Sequence, residues 1–237
     1  MIRWLLTCEH GGNDVPPRWR GRFAGGEPIL SGHRGWDRGS LEIFNVLAPR
    51  IADAAFPARI TRLLVDLNRS PGHRHLFSEY TRGLPATEKQ EILDTCYLPW
   101  RGAVVDQVEE WYRQHAWVLH VSVHSFTPEF AGRRRNADIG LLYDPGRPLE
   151  RALSQRWKSA LKQTGPEFRI RMNYPYRGTA DGFTRWLRLR YPQRYAGVEL
   201  ELNEGTLAAD TPAVAATVLA SLERLRSDFD PEAAPAG

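Results

Sequence analysis

A chain of 237 residues, 42% apolar and 25% charged, has the composition of a globular protein and the length for one large α/β domain or two small ones. Its formal charge is +4, carried almost wholly by arginine, and the cations are scattered among acids rather than gathered on one stretch. That pattern argues against a nucleic-acid face and suits a small anionic substrate. The densest basic run, Arg133-Arg134-Arg135, reads as a solvated loop.

No apolar run approaches the roughly 20 residues needed to cross a bilayer. The opening apolar stretch, 2–7, is too short for a signal core and no small-residue cleavage site follows it. Cys8 and Cys96 are the two cysteines, without a CxxC pair, which excludes a disulfide-stapled secreted scaffold and a cysteine zinc site. The expectation is a cytoplasmic protein that uses neither membrane nor nucleic acid; its oligomeric state is not legible.

Short runs rich in Leu, Val and Ile predict strands over 2–7, 60–66, 117–123, 139–143, 168–171 and 197–202. Between them, helices are predicted over 37–54, 86–115, 148–163, 180–189 and 212–226, the second breaking at Pro99. Alternating strands and helices predict an α/β fold: three layers, α/β/α, around a mixed, mostly parallel central sheet. One domain is expected over 1–228, with a flexible tail over 229–237. In such sheets ligands bind beyond the carboxyl ends of the strands, so the residues there are the ones to read.

Four of these ends are polar. The first strand runs into Cys8-Glu9-His10-Gly11-Gly12-Asn13, the second ends Arg62-Leu63-Leu64-Val65-Asp66-Leu67-Asn68-Arg69, the third carries His120, His124 and Ser125, and the last carries Glu199, Glu201 and Asn203. His10 and His124 each follow a strand and precede a turn, which suits imidazole ligands on a rigid scaffold, and zinc in a hydrolase takes three protein ligands and keeps one open position. The third ligand is open between Asp37, whose other reading is a helix N-cap, Asn13, an amide and so a poor zinc ligand, and water. Glu9 adjoins His10 but points the other way in an extended strand. His120 is read as core or as support for His124; His33, His73, His75 and His115 are read as surface groups.

Asn68 and Arg69 form a fork and an amide donor suited to a carboxylate. Arg62 is placed to polarise a carbonyl, and Asp66 to orient the turn. Glu199 and Glu201 share one face of their strand, where one could act as general base or both could face solvent on an edge.

The segments CEHGGNDVP, HRGWDRGS, VDLNRS, VHSFTP, NYPYRGTADGFTRWLR and GVELELNE together resemble the N-formylglutamate amidohydrolase family, in that family's order, up to about residue 205. The resemblance implies a phosphorylase/hydrolase-like fold related to the zinc carboxypeptidases and aspartoacylase. It implies zinc, or another divalent cation, on His10 and His124, a substrate carboxylate on Asn68 and Arg69, and Glu201 as general base. In those relatives a glutamate stands three residues after the first histidine; here that position is Asn13, and Asp37 is the candidate replacement. Tyr176 and Arg177, in a glycine-flanked loop, are candidate substrate contacts. The implied activity is hydrolysis of an N-formyl or other small N-acyl amino acid. A metallopeptidase-like hydrolase and a non-catalytic binder of anionic amino acids are the alternatives.

Overall fold

The computed structural model describes residues 1–233. Among the described residues eight strands form: β1 (Ile2–Cys8), β2 (Ala54–Pro57), β3 (Trp117–Phe126), β4 (Glu129–Phe130), β5 (Arg133–Arg134), β6 (Ile139–Leu142), β7 (Ile170–Met172) and β8 (Tyr195–Asn203). Six of them make the central sheet in the order β2-β1-β3-β8-β6-β7, while β4 and β5 pair as a separate hairpin. β2, β1, β3 and β8 run parallel; β6 is antiparallel to β8 and carries β7 parallel to itself. The sheet is therefore mixed and mostly parallel, as expected.

Helices cover both faces. The α-helices are α1 (Glu27–Leu30), α2 (Ser40–Ile51), α3 (Ala86–Ile92), α4 (Leu98–Arg113), α5 (Pro148–Thr164), α6 (Phe183–Arg190) and α7 (Glu204–Asp228). On one face α2, α5 and α7 lay Ile43, Leu47, Trp157, Leu161, Val218 and Leu222 onto Leu6, Val121, Val198 and Leu200 of the strands. Each such fully buried side chain contributes about 1.5–3 kcal/mol. On the other face α4 and α6 cover the amino-terminal half of the strands, packing Val104, Val108, Phe183 and Leu187 on Leu5, Val118 and Tyr195. The carboxyl half of that second face is left for the site.

The 60–66 run is not a strand. Apart from one bridge between Ile60 and Asp14 it forms turns, and Leu63, Leu64, Val65 and Leu67 are buried in a satellite core with Trp19, Leu76 and Tyr97. Side chains take the carbonyls that a ladder would use: Ser78 donates to Leu63, Thr81 to Leu64 and Arg101 to Leu67. One sheet edge is instead β2, which was not among the predicted strands; only its first residue, Ala54, fell within a predicted helix. α2 starts at Ser40 after Gly39, whose φ of 81° favours glycine, so Asp37 lies outside the helix and is not its cap.

The 86–115 helix is not cut at Pro99. α3 passes through a π-type turn at Leu93–Tyr97 and continues as α4, so the helical backbone runs through Pro99, which sits just after that turn. α6 starts at Phe183 rather than 180. α7 begins at Glu204, earlier than expected, with the Asn203 side chain accepting from Gly205 N, and kinks at Asp210 before Pro212. By length and composition α7 could cross a membrane, but here Val214, Val218, Leu222 and Leu225 belong to the core. Phe229, where the tail was expected to start, is buried in that core too; 234–237 lie outside the described residues.

Candidate active site

Register places the site. Thr7 pairs with Ser122, Ser122 with Glu199 and His124 with Glu201, so these side chains share one face of β1, β3 and β8. Beyond β1 the chain turns through Gly11 and Gly12. A Cβ on Gly12 would stand 2.5 Å from the carbonyl oxygen of Arg59, so glycine lets the 58–61 segment run against the turn, where Ala58 N donates to Cys8 O and Asp14 N to Arg59 O. That contact carries the following Arg62 and Asp66 to His10. Asp37 is brought in by its own backbone, its N–H donating to His10 O at 2.9 Å.

His10 Nε2 lies 2.7 Å from Asp66 Oδ1. Burial pushes the Asp66 carboxyl up, but His10, Arg62 and Arg69 outweigh burial and hold it below the usual range. An ionised carboxylate only accepts, so in the neutral imidazole the proton sits on Nε2 and Nδ1 carries the lone pair. That Nδ1 is buried without a hydrogen-bond partner and faces Asp37 Oδ2 at 3.5 Å.

His124 repeats the arrangement from the next strand. Its Nε2 lies 2.8 Å from Ser122 Oγ and 3.3 Å from Glu9 Oε2, and Ser122 spends its own proton on Glu9 at 2.6 Å. His124 Nδ1 therefore also turns to Asp37 Oδ2, at 2.8 Å. Burial disfavours charge on all three groups, yet mutual pairing wins: Glu9 is held down at about 2, chiefly by His124 once burial is overcome, and His124 is held well above the usual imidazole range by Asp37 and Glu9. Asp37, facing Arg62 on Oδ1, stays well below the usual carboxylate range despite its burial.

His10, Asp37 and His124 thus converge, each offering one ligand atom within 4.8 Å of the others. Two imidazoles and a carboxylate are a donor set for a catalytic zinc or a similar divalent cation. A tetrahedral ion with bonds of about 2.0–2.1 Å holds its donors roughly 3.3 Å apart. The 2.8 and 3.5 Å separations at Asp37 bracket that spacing, and the orphaned Nδ1 of His10 is a vacant donor of the right kind, so the residues present fit the ion.

Glu201 stands beside this cluster. β8 is an interior strand between β3 and β6, so neither Glu199 nor Glu201 faces solvent on an edge. The residue opposite on β6 is Gly140, where a Cβ would come 2.0 Å from Tyr174 O and 3.2 Å from the Glu201 Cβ. Glu201 Oε2 is buried and unpartnered. Burial pushes its carboxyl up to about 8, with Asp37 and Glu199 adding to the shift and His124 and Arg62 opposing it. Glu199 has a partner, accepting from Thr184 Oγ1 at 2.5 Å.

A pocket of about 210 Å3 joins these groups to Arg62, Asn68, Arg69, Tyr176, Arg177 and Asp181. Asn68 Oδ1 accepts from Phe183 N at 2.6 Å, which leaves its NH2 as the free end of the amide. Arg69 donates to Asp181 O at 2.8 Å, and the Asp181 carboxylate accepts from Ser70 N and Oγ, strapping the 177–182 loop to the Asn68–Arg69 turn.

Of the candidate ligand, base and substrate-binding residues read from the sequence, the pocket gathers all but Asn13 and Glu9. The Asn13 amide donates to Leu30 O, away from the pocket, and is not brought to the cluster. Glu9 lies behind His124. Sequence reading missed Ser122, Asp181 and Arg101. The last is a buried guanidinium stacked on Phe183 and Tyr97 that donates to the carbonyls of Leu67 and Arg69 and so shapes the turn from beneath. Nothing local marks Arg101, which comes from a helix 32 residues on from Arg69.

The fold is α/β, and the family profile that the chain matches is one of amidohydrolases. The N-formylglutamate amidohydrolase family profile matches residues 2–208, and the chain belongs to that family. The crystal structure of gene product Atu2144 from Agrobacterium tumefaciens is similar with a TM-score of 0.78 at 26% identity, over 95% of this chain and 91% of that one. N-formylglutamate amidohydrolase from Ralstonia eutropha JMP134 is similar with a TM-score of 0.67 at 17% identity, over 96% and 95% of the two chains, a likeness of fold. No curated protein sequence matches significantly.

Proposed function

We propose that the protein is a metal-dependent amidohydrolase that cleaves the amide of an N-acyl amino acid, N-formylglutamate being the type of substrate, with Glu201 as general base. The observation that carries this reading is the Glu201 carboxyl, buried, unpartnered at Oε2 and aligned with His124 across the strands, beside the cluster of His10, Asp37 and His124. His10, His124 and Asp37 would hold a divalent cation, zinc by its donor set, which supplies Lewis acidity to the amide carbonyl and to water.

Glu201 accepts the proton of the attacking water and returns it to the leaving amine. The role needs the carboxylate form of Glu201, which the positive charge of a divalent cation beside it would favour against the burial that pushes the carboxyl up. Arg62, fixed by Asp37, faces the pocket and stabilises the carbonyl oxygen as negative charge develops. The Asn68 NH2 and the Arg69 guanidinium grip the substrate carboxylate, and their anchorage by Arg101 and Asp181 fixes the attack geometry. Tyr176 and Arg177 contact the substrate from the rim. Asp37 favours this reading over a non-catalytic binder, because it provides the third donor that Asn13 does not. A cytoplasmic place of action belongs to the same proposal and rests on the two free cysteines, Cys8 and Cys96.

The test is metal content by elemental analysis, for the wild type and for His10→Ala and His124→Ala, beside amine release from N-formyl and N-acetyl acidic amino acids and from short peptides. Near-stoichiometric metal, lost in both variants, with turnover of the acyl amino acids, is expected. A site that stays empty after zinc is supplied overturns the proposal; preference for peptides transfers it to an exopeptidase.

A further inference from the structure

The pocket continues past the groups that do the chemistry. Asp37, Arg62, Ser125 and Tyr176 line both the pocket already described and a second chamber of about 320 Å3. Asn68 and Arg69 border the first only; Thr127, Phe130 and Arg135 border the second only. The reacting centre therefore sits between two spaces. If the carboxylate of an N-acyl amino acid is held by Asn68 and Arg69, and its amide lies at Asp37 and Arg62, the substituent on the amide carbonyl enters the second chamber.

That chamber is built for a flat, bulky group. Its outer wall is the β4–β5 hairpin together with Tyr176. The Arg135 guanidinium stacks at 4.8 Å over Phe130 and 5.1 Å over Tyr176, while donating to the Tyr176 hydroxyl at 3.0 Å and to Thr127 Oγ1 at 3.3 Å. The arginine run that read as a solvated loop thus ends in a stacked array. Phe130 is 57% exposed and Tyr176 48% exposed, an unusual display of aromatic surface beside a polar pocket. Around it Arg34 pairs with Glu79 and Glu204 with Arg38, while His33 and the Arg135 guanidinium also border the chamber. A formyl group is about the size of one water molecule, roughly 30 Å3, and would leave nearly all of the chamber unfilled.

We propose that the second chamber is the acyl subsite and that it selects a planar acyl group of aromatic size over formyl. This rests on the amidohydrolase reading above. Water adds across the amide C–N bond, so an N-benzoyl amino acid yields benzoate and the free amino acid with no further reactant.

Matched N-benzoyl and N-formyl derivatives of glutamate, aspartate and leucine test it, on zinc-supplemented protein, by calorimetric binding and by kcat/KM. For at least one amino acid the benzoyl compound is expected to bind tenfold or more tightly than its formyl partner. Phe130→Ala should weaken the benzoyl compound five- to tenfold and move the formyl compound less than twofold, with Phe130→Tyr restoring the preference. Benzoyl binding no tighter than formyl for every amino acid, or equal loss of both in Phe130→Ala, overturns the subsite. Tight, Phe130-dependent benzoyl binding without cleavage of any amide keeps the subsite and defeats the amidohydrolase reading. Cleavage of formyl compounds with no benzoyl preference does the reverse.

Discussion

The two faces of the central sheet are made from alternate residues of the same strands, yet they have opposite chemistry. One face, Leu6 and Cys8 on β1, Val121 and Val123 on β3, Val198, Leu200 and Leu202 on β8, is apolar throughout and closed by helices. The other starts apolar with Leu5, Val118 and Tyr195 and then turns polar: Thr7 and Glu9, His120, Ser122 and His124, Glu199 and Glu201. Burying polar groups costs free energy unless they are hydrogen-bonded. Most of them are: Thr7 bridges Glu9 and His120, His120 meets the Tyr195 hydroxyl, and Ser122 ties Glu9 to His124. The chain of partners breaks at the pocket, where Glu201 Oε2 and His10 Nδ1 have none. One face stabilises the fold; the other uses that stability to hold unsatisfied groups in place.

The comparison makes predictions, the largest on the polar face. Glu201→Gln should lower kcat by about 10²–10⁴ while the protein keeps its metal and its melting temperature. Full turnover in steady-state assays would remove Glu201 from the mechanism. On the apolar face Leu200→Ala, one residue away, should do the opposite. Unfolding free energy falls by about 2–5 kcal/mol, measured in urea, with kcat per folded molecule unchanged; a large loss of kcat there would erase the distinction between faces.

The relay beneath the site has its own signature. Burial pushes His120 down to about 4 from an ordinary 6.5, with Arg188 and His124 adding and Glu9 opposing. The unfolded chain therefore binds this proton first. Stability from the neutral ring is full above pH 6.5 and is lost as pH falls toward 4, by roughly 3 kcal/mol. Urea unfolding of metal-free protein between pH 7 and 4.5 should show that slope, reduced in His120→Gln; identical slopes in the two proteins would assign the acid sensitivity elsewhere. The smallest effect is expected behind the ligands, where Glu9→Gln should weaken metal affinity or activity about 10–100-fold, read by chelator competition. No change would mean that Ser122 alone orients His124.

Much of this was legible before any coordinates. Side-chain alternation puts Glu199 and Glu201 on one face, and the polar strand ends announce where the pocket lies. The 60–66 run was misread because an apolar stretch fits a strand or a buried turn equally well, and the choice fell to distant acceptor-seeking groups: Ser78, Thr81 and Arg101. Glu9 looked unable to join His10, correctly, but its actual neighbour is His124 on the adjacent strand.

The sequence by itself determined the α/β layering, the strand periodicity and the residue types gathered at the strand ends, because those follow from patterns a few residues long. Only the tertiary structure decided that Asp37, 87 residues from His124, faces both imidazoles, that Asp66 and Glu9 each take one ring from behind, and that Asn13 turns away. Those outcomes depend on strand order, register and backbone contacts between distant segments, which local spacing does not encode.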